Sequence, residues 1–483
     1  MDPFYLARLF IKQCDEILGT LPSKKEKREL LLTLISLYYL SSFSIRDRLT
    51  STETEESVLQ SQNLHLMDLS FSQMWENCVL ADEPFVMHHL TRMIFDVTSQ
   101  IPELRSLLDS GWIPDRITNQ QLKQLLLLFN RFFHDEMQKI EVAEIFEAIV
   151  ERYSPEVSSG TGSFYAPRDV TELLADLVQP ESGTLYDPCC GCSNMLISFA
   201  NRMLNRGANF QIYGRESNPD AWKLAKLNLL FHGFSADLGP SPSYALMDNE
   251  SKILQADYIV SNPPFNERSW SDNHKELKCR PFLRYGVPPQ KRGSLAWLQY
   301  MLYTLKPGGK LVTLLNVSTL DSSYDSEKHI RMGLVKDDLL RAIILLPAGL
   351  FWGTEIPVAL FVLQNGGESG LCGNQILMVD GSHLGTEIEK KVQLTEQDHQ
   401  AILAVWDAYQ QGKAPEQIGF CTTVSAAEVA EQDGTLYPRD YISYKKETLP
   451  TWENLLEKEF SLQMELERQL QENAVLIQQI CHQ

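Results

Sequence analysis

The chain has 483 residues, of which 43% are apolar and 22% charged, as is typical of a soluble globular protein; its length predicts two or three domains. The net charge of −20 argues against a protein that binds nucleic acid alone, because such proteins usually carry a basic surface. Nine scattered cysteines favour a reducing cytoplasm. No basic segment of a signal peptide opens the chain, and the apolar run 30–43 is too short and too interrupted to span a membrane.

The first part of the chain, residues 1–150, is predicted to be a helical domain. Apolar residues recur at helical spacing over 31–38 and 122–133. The polar stretch 50–63 between them is predicted to be a loop.

From about residue 184 the pattern changes to apolar strands that alternate with helices. Strands are predicted at 185–186, 210–214, 258–260, 311–315, 341–346 and 358–363, and helices up to residue 203, at 219–232 and at 295–305. This alternation predicts an α/β fold with a doubly wound, Rossmann-like domain over 151–365. Ligands of such sheets bind outside the carboxyl ends of the strands.

The last part of the chain contains a predicted linker at 366–370, a small mixed region over 366–445 and a long helix over 446–483. The helix carries a long apolar stripe, which usually packs on the helix of a partner. Packing on the chain's own helical domain is the alternative. The stripe consists of Trp452, Leu456, Phe460, Leu462, Leu466, Leu470, Asn473, Ile477 and Ile480.

The most specific pattern is the turn Asn262-Pro263-Pro264-Phe265, which follows the strand 258–260. The prolines donate no N–H, so the turn offers two acceptors, the side-chain carbonyl of Asn262 and the backbone carbonyl of Pro263. Phe265 offers a face on which a flat ring can stack. The turn therefore predicts a site for a planar amine that attacks an electrophilic methyl group. An ordinary turn with a buried Phe is the alternative.

A second turn follows the first strand and opens a helix: Asp187-Pro188-Cys189-Cys190-Gly191-Cys192-Ser193-Asn194. Gly191 permits a tight turn, and N–H groups at a helix start hold anions. Glu216 ends the second strand, where an acid accepts hydrogen bonds from ribose hydroxyls. Together with the Asn262 turn, this indicates S-adenosylmethionine as the cofactor. No second cysteine pair lies at a suitable spacing, so no metal is expected. The predicted cofactor residues here are Asp187, Pro188, Gly191, Cys192, Ser193, Asn194 and Glu216.

One stretch is basic against the acidic background. Residues 274–292 hold six cations and a single acid, Glu276, shortly after the Asn262 turn. We expect contact with nucleic-acid phosphates; a solvated basic loop is the alternative. The cations are Lys275, Lys278, Arg280, Arg284, Lys291 and Arg292.

These motifs resemble the modification (methyltransferase) subunits of type I restriction-modification systems, a family of adenine-N6 DNA methylases. The resemblance runs over most of the chain and includes loop 285–289, of sequence Tyr-Gly-Val-Pro-Pro. The other matching stretches are 37–41, 163–168, the Asp187 turn, 213–216, 256–266, 295–299 and 436–441.

The resemblance implies that Asn262, Pro263, Pro264 and Phe265 form the catalytic turn, which holds an adenine flipped out of double-stranded DNA. It also implies a separate specificity subunit, docked through the C-terminal helix; a restriction subunit is a further candidate partner, and two copies of the chain per complex are expected. The residues implied to cover the methionine end of the cofactor are Ser163, Phe164, Tyr165, Ala166, Pro167 and Arg168.

The chain departs from the family pattern at three places. Ala166 stands where Thr is usual, Ser193 and Asn194 stand where a small residue and then Gly are usual, and Tyr244 stands where an acid is expected. Asn tolerates a left-handed φ better than most residues, so the turn is expected to survive. These departures motivate one alternative function, a scaffold subunit with a weakened cofactor site. Methylation of RNA or of protein glutamine is another, which the helical domain and loop 285–289 oppose.

Overall fold

The structure is a computed structural model that forms two compact units, Met1–Ile442 and Ser443–Gln483. The predicted loop 50–63 and almost all of the predicted helix 446–483 lie outside the described residues. Within the described part of the chain, no helix combines the length and apolarity needed to cross a membrane. The described residues are 3–19, 23–42, 70–100, 104–105, 107–108, 113–134, 141–153, 166–247, 254–265, 270, 279–351, 356–366, 375–388, 391–444, 464 and 468–469.

The N-terminal part is helical, as predicted. Its core is rich in aromatic residues, which meet mainly edge to face: the ring centroids of Phe10 and Phe129 lie 4.9 Å apart, and those of Tyr38 and Trp75 lie 5.4 Å apart. The helices are α1 (Pro3–Leu18), α2 (Lys24–Ser42), α3 (Ser70–Leu80), α4 (Val86–Gln100), α5 (Asn119–His134) and α6 (Val142–Tyr153).

The second part is built on one mixed sheet, which has nine strands in the described residues. Its order is β11-β8-β6-β7-β5-β4-β1-β2-β3, and a separate hairpin pairs β9 with β10. The strands are β1 (Gly183–Asp187), β2 (Phe210–Gly214), β3 (Ala236–Asp237), β4 (Ala256–Ser261), β5 (Leu305–Asn316), β6 (Leu340–Leu345), β7 (Val358–Gln364), β8 (Gln375–Asp380), β9 (Thr386–Ile388), β10 (Lys391–Gln393) and β11 (Cys421–Ser425).

Helices cover both faces of the sheet, which confirms the doubly wound α/β prediction. Leu185 and Val260 belong to the apolar core on one face, whereas their chain neighbours Tyr186 and Ile259 belong to the core on the other. The covering helices are α7 (Arg168–Val178), α8 (Asn194–Asn205), α9 (Pro219–Phe231), α10 (Ser294–Tyr303), α11 (Asp325–Lys336), α12 (Glu396–Gln410) and α13 (Ala426–Glu431).

The region 366–445, expected to be a small mixed region of its own, continues this sheet. β8 pairs in parallel with β6, and β11 pairs antiparallel with β8. Trp406 of α12 donates its indole N–H to the backbone oxygen of Leu177 at 2.9 Å, so α12 lies against α7. The sheet therefore extends well past residue 365.

The helical part contacts the α/β part along α9. The Tyr39 hydroxyl donates to the backbone oxygen of Leu230 at 3.0 Å, and Lys25 forms an ion pair with Asp220 at 2.9 Å. Leu227 and Phe231 of α9 are buried in the same core as the helices. The N-terminal helices are thus packed against α9, the helix that follows the turn after β2.

Candidate active site

Three predicted site segments, the Asp187 turn, Glu216 and the Asn262 turn, meet at one edge of the sheet. β1 pairs in parallel with both β2 and β4, so the residues that follow these strands come out side by side. The hydroxyl of Ser261, the last residue of β4, donates to Oδ1 of Asp187, the last residue of β1, at 2.8 Å. This bond joins the Asp187 turn to the Asn262 turn.

Asp187 holds the first turn from inside the protein. Its Oδ1 also accepts a hydrogen bond from the backbone N–H of Cys189 at 2.9 Å, and only 1% of the residue is exposed. Burial raises the pKa of Asp187 to about 7, although the hydrogen bonds from Cys189 and Ser261 act in the opposite direction. The carboxyl group therefore shapes the turn.

The left-handed positions of this turn are Gly191, with φ 53°, and Ser193, with φ 68°. Asn194 instead begins helix α8. The turn survives as expected, but Ser193, rather than the more tolerant Asn, adopts the conformation that favours glycine.

Glu216 reaches across to the Asp187 turn. Its Oε2 accepts from the backbone N–H of Gly191 at 3.0 Å and its Oε1 from that of Asn218 at 2.6 Å. Burial raises its pKa, and the backbone hydrogen bonds partly oppose that shift. Gly214, just before it, has no room for a side chain, since a Cβ there would lie 2.6 Å from Leu238 and 3.1 Å from Cys190 Sγ.

These groups fit the cofactor that the pattern indicates. The Glu216 carboxylate supplies acceptors for ribose hydroxyls, and the first turns of α7 and α8 supply backbone N–H groups for a carboxylate. Ala166, Pro167 and Arg168 lead into α7, whereas Ser163, Phe164 and Tyr165 lie outside the described residues.

Asn262 carries the clearest sign of a ligand. The residue is 5% exposed, and neither its Oδ1 nor its Nδ2 has a hydrogen-bond partner among the residues that the structure describes. Buried polar groups are nearly always paired, so a buried amide that lacks both partners points to a bound group that supplies them. Pro263, which follows it, is buried, while Pro264 and Phe265 are partly exposed.

The sequence reasoning missed Phe351. Its ring packs edge to face on Phe265, with centroids 5.7 Å apart and an angle of 84° between the rings. Phe351 follows β6, and β6 points in the same direction as β5 because both are antiparallel to β7. The available signal was an aromatic residue just after the predicted strand 341–346.

Among the predicted DNA-contacting cations, Arg292 and Arg284 form ion pairs within the protein. Arg292 pairs with the fully buried carboxylate of Glu327 at 2.9 Å and donates to the backbone oxygen of Ser318 at 2.8 Å. Arg284 pairs with Asp337 at 2.7 Å. A local count of charges does not reveal these ion pairs, because tertiary packing brings the acidic partners from other parts of the chain. Lys291 is exposed and Arg280 partly exposed, while Lys275 and Lys278 lie outside the described residues.

Loop 285–289 is held by the stretch 295–299. The side chain of Gln299 accepts from the backbone N–H of Tyr285 at 2.8 Å and donates to the backbone oxygen of Gly286 at 2.9 Å. Tyr244 lies nearby and packs edge to face on Trp297, with centroids 5.3 Å apart. Residues 285–289 and 295–299, which are two separate stretches of the family resemblance, are therefore in direct contact.

Comparison with known proteins identifies the class of this site. Residues 138–449 match the model of the N-6 DNA methylase family, and the chain belongs to that family. The predicted activity, transfer of a methyl group from S-adenosylmethionine to adenine N6 in DNA, is confirmed at this level.

The individual relatives share only low sequence identity with this chain. The chain is 27% identical to the type I restriction enzyme HindI methylase subunit of Haemophilus influenzae, over 69% of this chain and 77% of the relative. It is 24% identical to the MjaIX methylase subunit of Methanocaldococcus jannaschii, over 92% and 86%. The solved type I restriction-modification methyltransferase subunit of Streptococcus thermophilus shares the fold, with a TM-score of 0.72, 17% identity and coverage of 92% and 100%.

Proposed function

We propose that this chain is the methyltransferase subunit of a type I restriction-modification system. The observation that carries the catalytic assignment is the buried Asn262 amide without partners, at the carboxyl edge of the sheet. The assignment to a type I system is supported by the relatives described above, both of which are type I methylase subunits.

The proposed chemistry follows from the groups in the turn. The side-chain oxygen of Asn262 and the backbone oxygen of Pro263 accept the two amine hydrogens of a flipped adenine, which leaves the nitrogen lone pair available for attack. Phe265 stacks on the base, and Pro264 keeps the turn rigid. S-adenosylmethionine, when bound, supplies the electrophilic methyl group. Glu216 and the Asp187 turn hold its ribose, and 163–168 cover its methionine end.

The wider assembly is also part of the proposal. A chain of net charge −20 needs a partner that reads DNA, so we assign sequence recognition to a specificity subunit bound by the helix 446–483. Among the cations of 274–292, Lys275, Lys278 and Lys291 contribute phosphate contacts near the base pocket. A restriction subunit and a second copy of the chain complete the complex. Residues 1–150 form the helical domain and 151–365 the core of the methyltransferase domain.

The test uses the complex purified from the native host through a tag on this chain. The wild-type complex transfers tritium from labelled S-adenosylmethionine to adenine N6 of duplex DNA. Asn262→Ala lowers this rate at least 100-fold without changing the Kd for S-adenosylmethionine, because it removes an acceptor used in the transition state. Asn205→Ala, at the exposed end of α8, is the matched control.

Two results would contradict the proposal. Unchanged methylation by the Asn262→Ala complex would overturn the assigned mechanism. If the wild-type complex does not bind S-adenosylmethionine, the chain is a scaffold subunit.

A further inference from the structure

The side chain of Asn194 links three segments around the cofactor turn. Its Oδ1 accepts a hydrogen bond from Asn228 Nδ2 at 2.9 Å, and its own Nδ2 donates to the backbone oxygen of Ala166 at 3.3 Å. Asn228 is fully buried and also donates to the backbone oxygen of Cys192 at 2.7 Å. The side-chain amides of Asn228 and Asn194 therefore connect α9, through the Asp187 turn, to the residues that precede α7.

The linked segments are those that would surround the cofactor. Helices α7 and α8 begin side by side, and Thr171 and Ser198 in their second turns form a hydroxyl contact of 2.7 Å. Residues 166–168 thus enter α7 next to the turn at 191–194. The bond from Asn194 to Ala166 is a second side-chain contact between these two helix starts, and it lies nearer to the cofactor turn.

A shorter side chain could not make this link. Alanine or glycine at position 194 would leave α8 intact at its first residue, where intrahelical backbone bonds from the N–H are absent anyway. The Ala166 carbonyl would then lose its donor, while the carboxylate of Glu216 would keep both of its backbone donors on the other side of the turn.

We propose that Asn194 is a positioning residue that holds 166–168 against the cofactor turn at the methionine end of S-adenosylmethionine. The inference rests on the proposed function. Asn194 acts through Ala166, whereas the adenosine part is assigned to Glu216 and the residues that follow it. The contribution of Asn194 to binding affinity is therefore specific to ligands that carry the amino-acid end.

The experiment measures binding of two ligands by calorimetry to the full chain. S-adenosylhomocysteine carries the amino-acid end, whereas 5′-methylthioadenosine lacks it. Asn194→Ala weakens binding of S-adenosylhomocysteine about fivefold, as expected for loss of a partly buried hydrogen bond, and changes binding of methylthioadenosine less than about twofold. Asn201→Ala, at an exposed position of the same helix, changes neither affinity.

A second variant, Asn194→Gly, is measured in case the alanine variant is unstable, and the same ratio of affinities is expected. Thermal unfolding of each variant separates local from global effects. Equal weakening of both ligands, or of neither, would overturn the inference while leaving the proposed function intact. A wild-type chain that binds neither ligand would overturn both.

Discussion

Phe265 and Phe351 meet edge to face, although 86 positions of sequence separate a turn after β4 from a turn after β6. The two strands deliver these rings to the same edge of the sheet. The contact restrains the tilt of Phe265, the ring proposed to stack on the flipped base.

Replacing Phe351 is therefore expected to impair the base pocket. Phe351→Leu keeps an apolar side chain but removes the ring pair, which is worth about 0.5–1.5 kcal/mol beyond buried area. We expect a three- to tenfold lower methylation rate, with an unchanged Kd for S-adenosylmethionine and weaker fluorescence of 2-aminopurine at the target base. Phe234→Leu, in a ring pair with Phe210 at 6.3 Å, is the control. An unchanged rate would refute the role of Phe351.

Arg292 and its neighbour Lys291 are expected to behave differently. Arg292→Ala leaves the buried carboxylate of Glu327 without its ion-pair partner, which should lower the free energy of unfolding by about 3 kcal/mol. Lys291→Ala should leave stability unchanged but weaken DNA binding by the complex and reduce its dependence on salt. Chemical denaturation and DNA titrations at several salt concentrations measure the two effects.

A second substitution checks the cause. Glu327→Gln, added to Arg292→Ala, should restore most of the lost stability because it removes the buried charge. If the double variant is no more stable than Arg292→Ala, the ion pair with Glu327 is not the reason for the loss.

The buried carboxyl of Asp187 is expected to make stability depend on pH. Its pKa in the folded chain, about 7, lies above the ordinary value of 3.8, so the folded state binds the proton more tightly. The stabilisation of the folded state that comes from this tighter proton binding is fully present below about pH 4 and is lost as the pH rises to 7. Asp187→Asn should flatten this part of the stability profile, as followed by denaturation at several pH values. An identical profile in the variant would contradict the assignment.

Ser193 is expected to be replaceable by glycine with a gain in stability. A left-handed φ costs a non-glycine residue roughly 1–2 kcal/mol, and the greater freedom of glycine in the unfolded chain offsets part of this. We expect Ser193→Gly to raise the free energy of unfolding by about 0.5–1 kcal/mol. Ser193→Ala keeps the strain and should give no gain. A gain of the same size with alanine would mean that the hydroxyl, not φ, is unfavourable.

Local patterns were sufficient for much of the fold. Strand 210–214 was predicted with the observed bounds, and the helix after it begins at Pro219 as predicted, because Asn218 caps it and proline suits a first turn. The pairing of β8 and β11 with the sheet was missed, since strand pairing across long separations leaves no mark in a short window.

The candidate site likewise has some features that local sequence patterns predict and others that they do not. Asp187, Glu216 and Asn262 could be brought together in advance because neighbouring parallel strands end at one edge. The roles of Phe351 and Asn194 depend on side-chain contacts between segments, and the pairing of Arg292 depends on an acid 35 residues further along the chain. Apart from the aromatic residue just after the predicted strand 341–346, these contacts have no local sequence signal.

The Gln299 amide bonds to backbone atoms alone, at Tyr285 and Gly286 of loop 285–289 and at Leu295 of its own helix. Every residue type except proline offers the backbone N–H used at position 285, whereas the φ of 121° at position 286 requires glycine there. The anchor itself therefore does not depend on the side chain at position 287, which is exposed, although the Tyr285 hydroxyl donates to Asp337 at 2.7 Å. Position 287 is thus a point at which the surface properties of the loop can change without rebuilding the sheet.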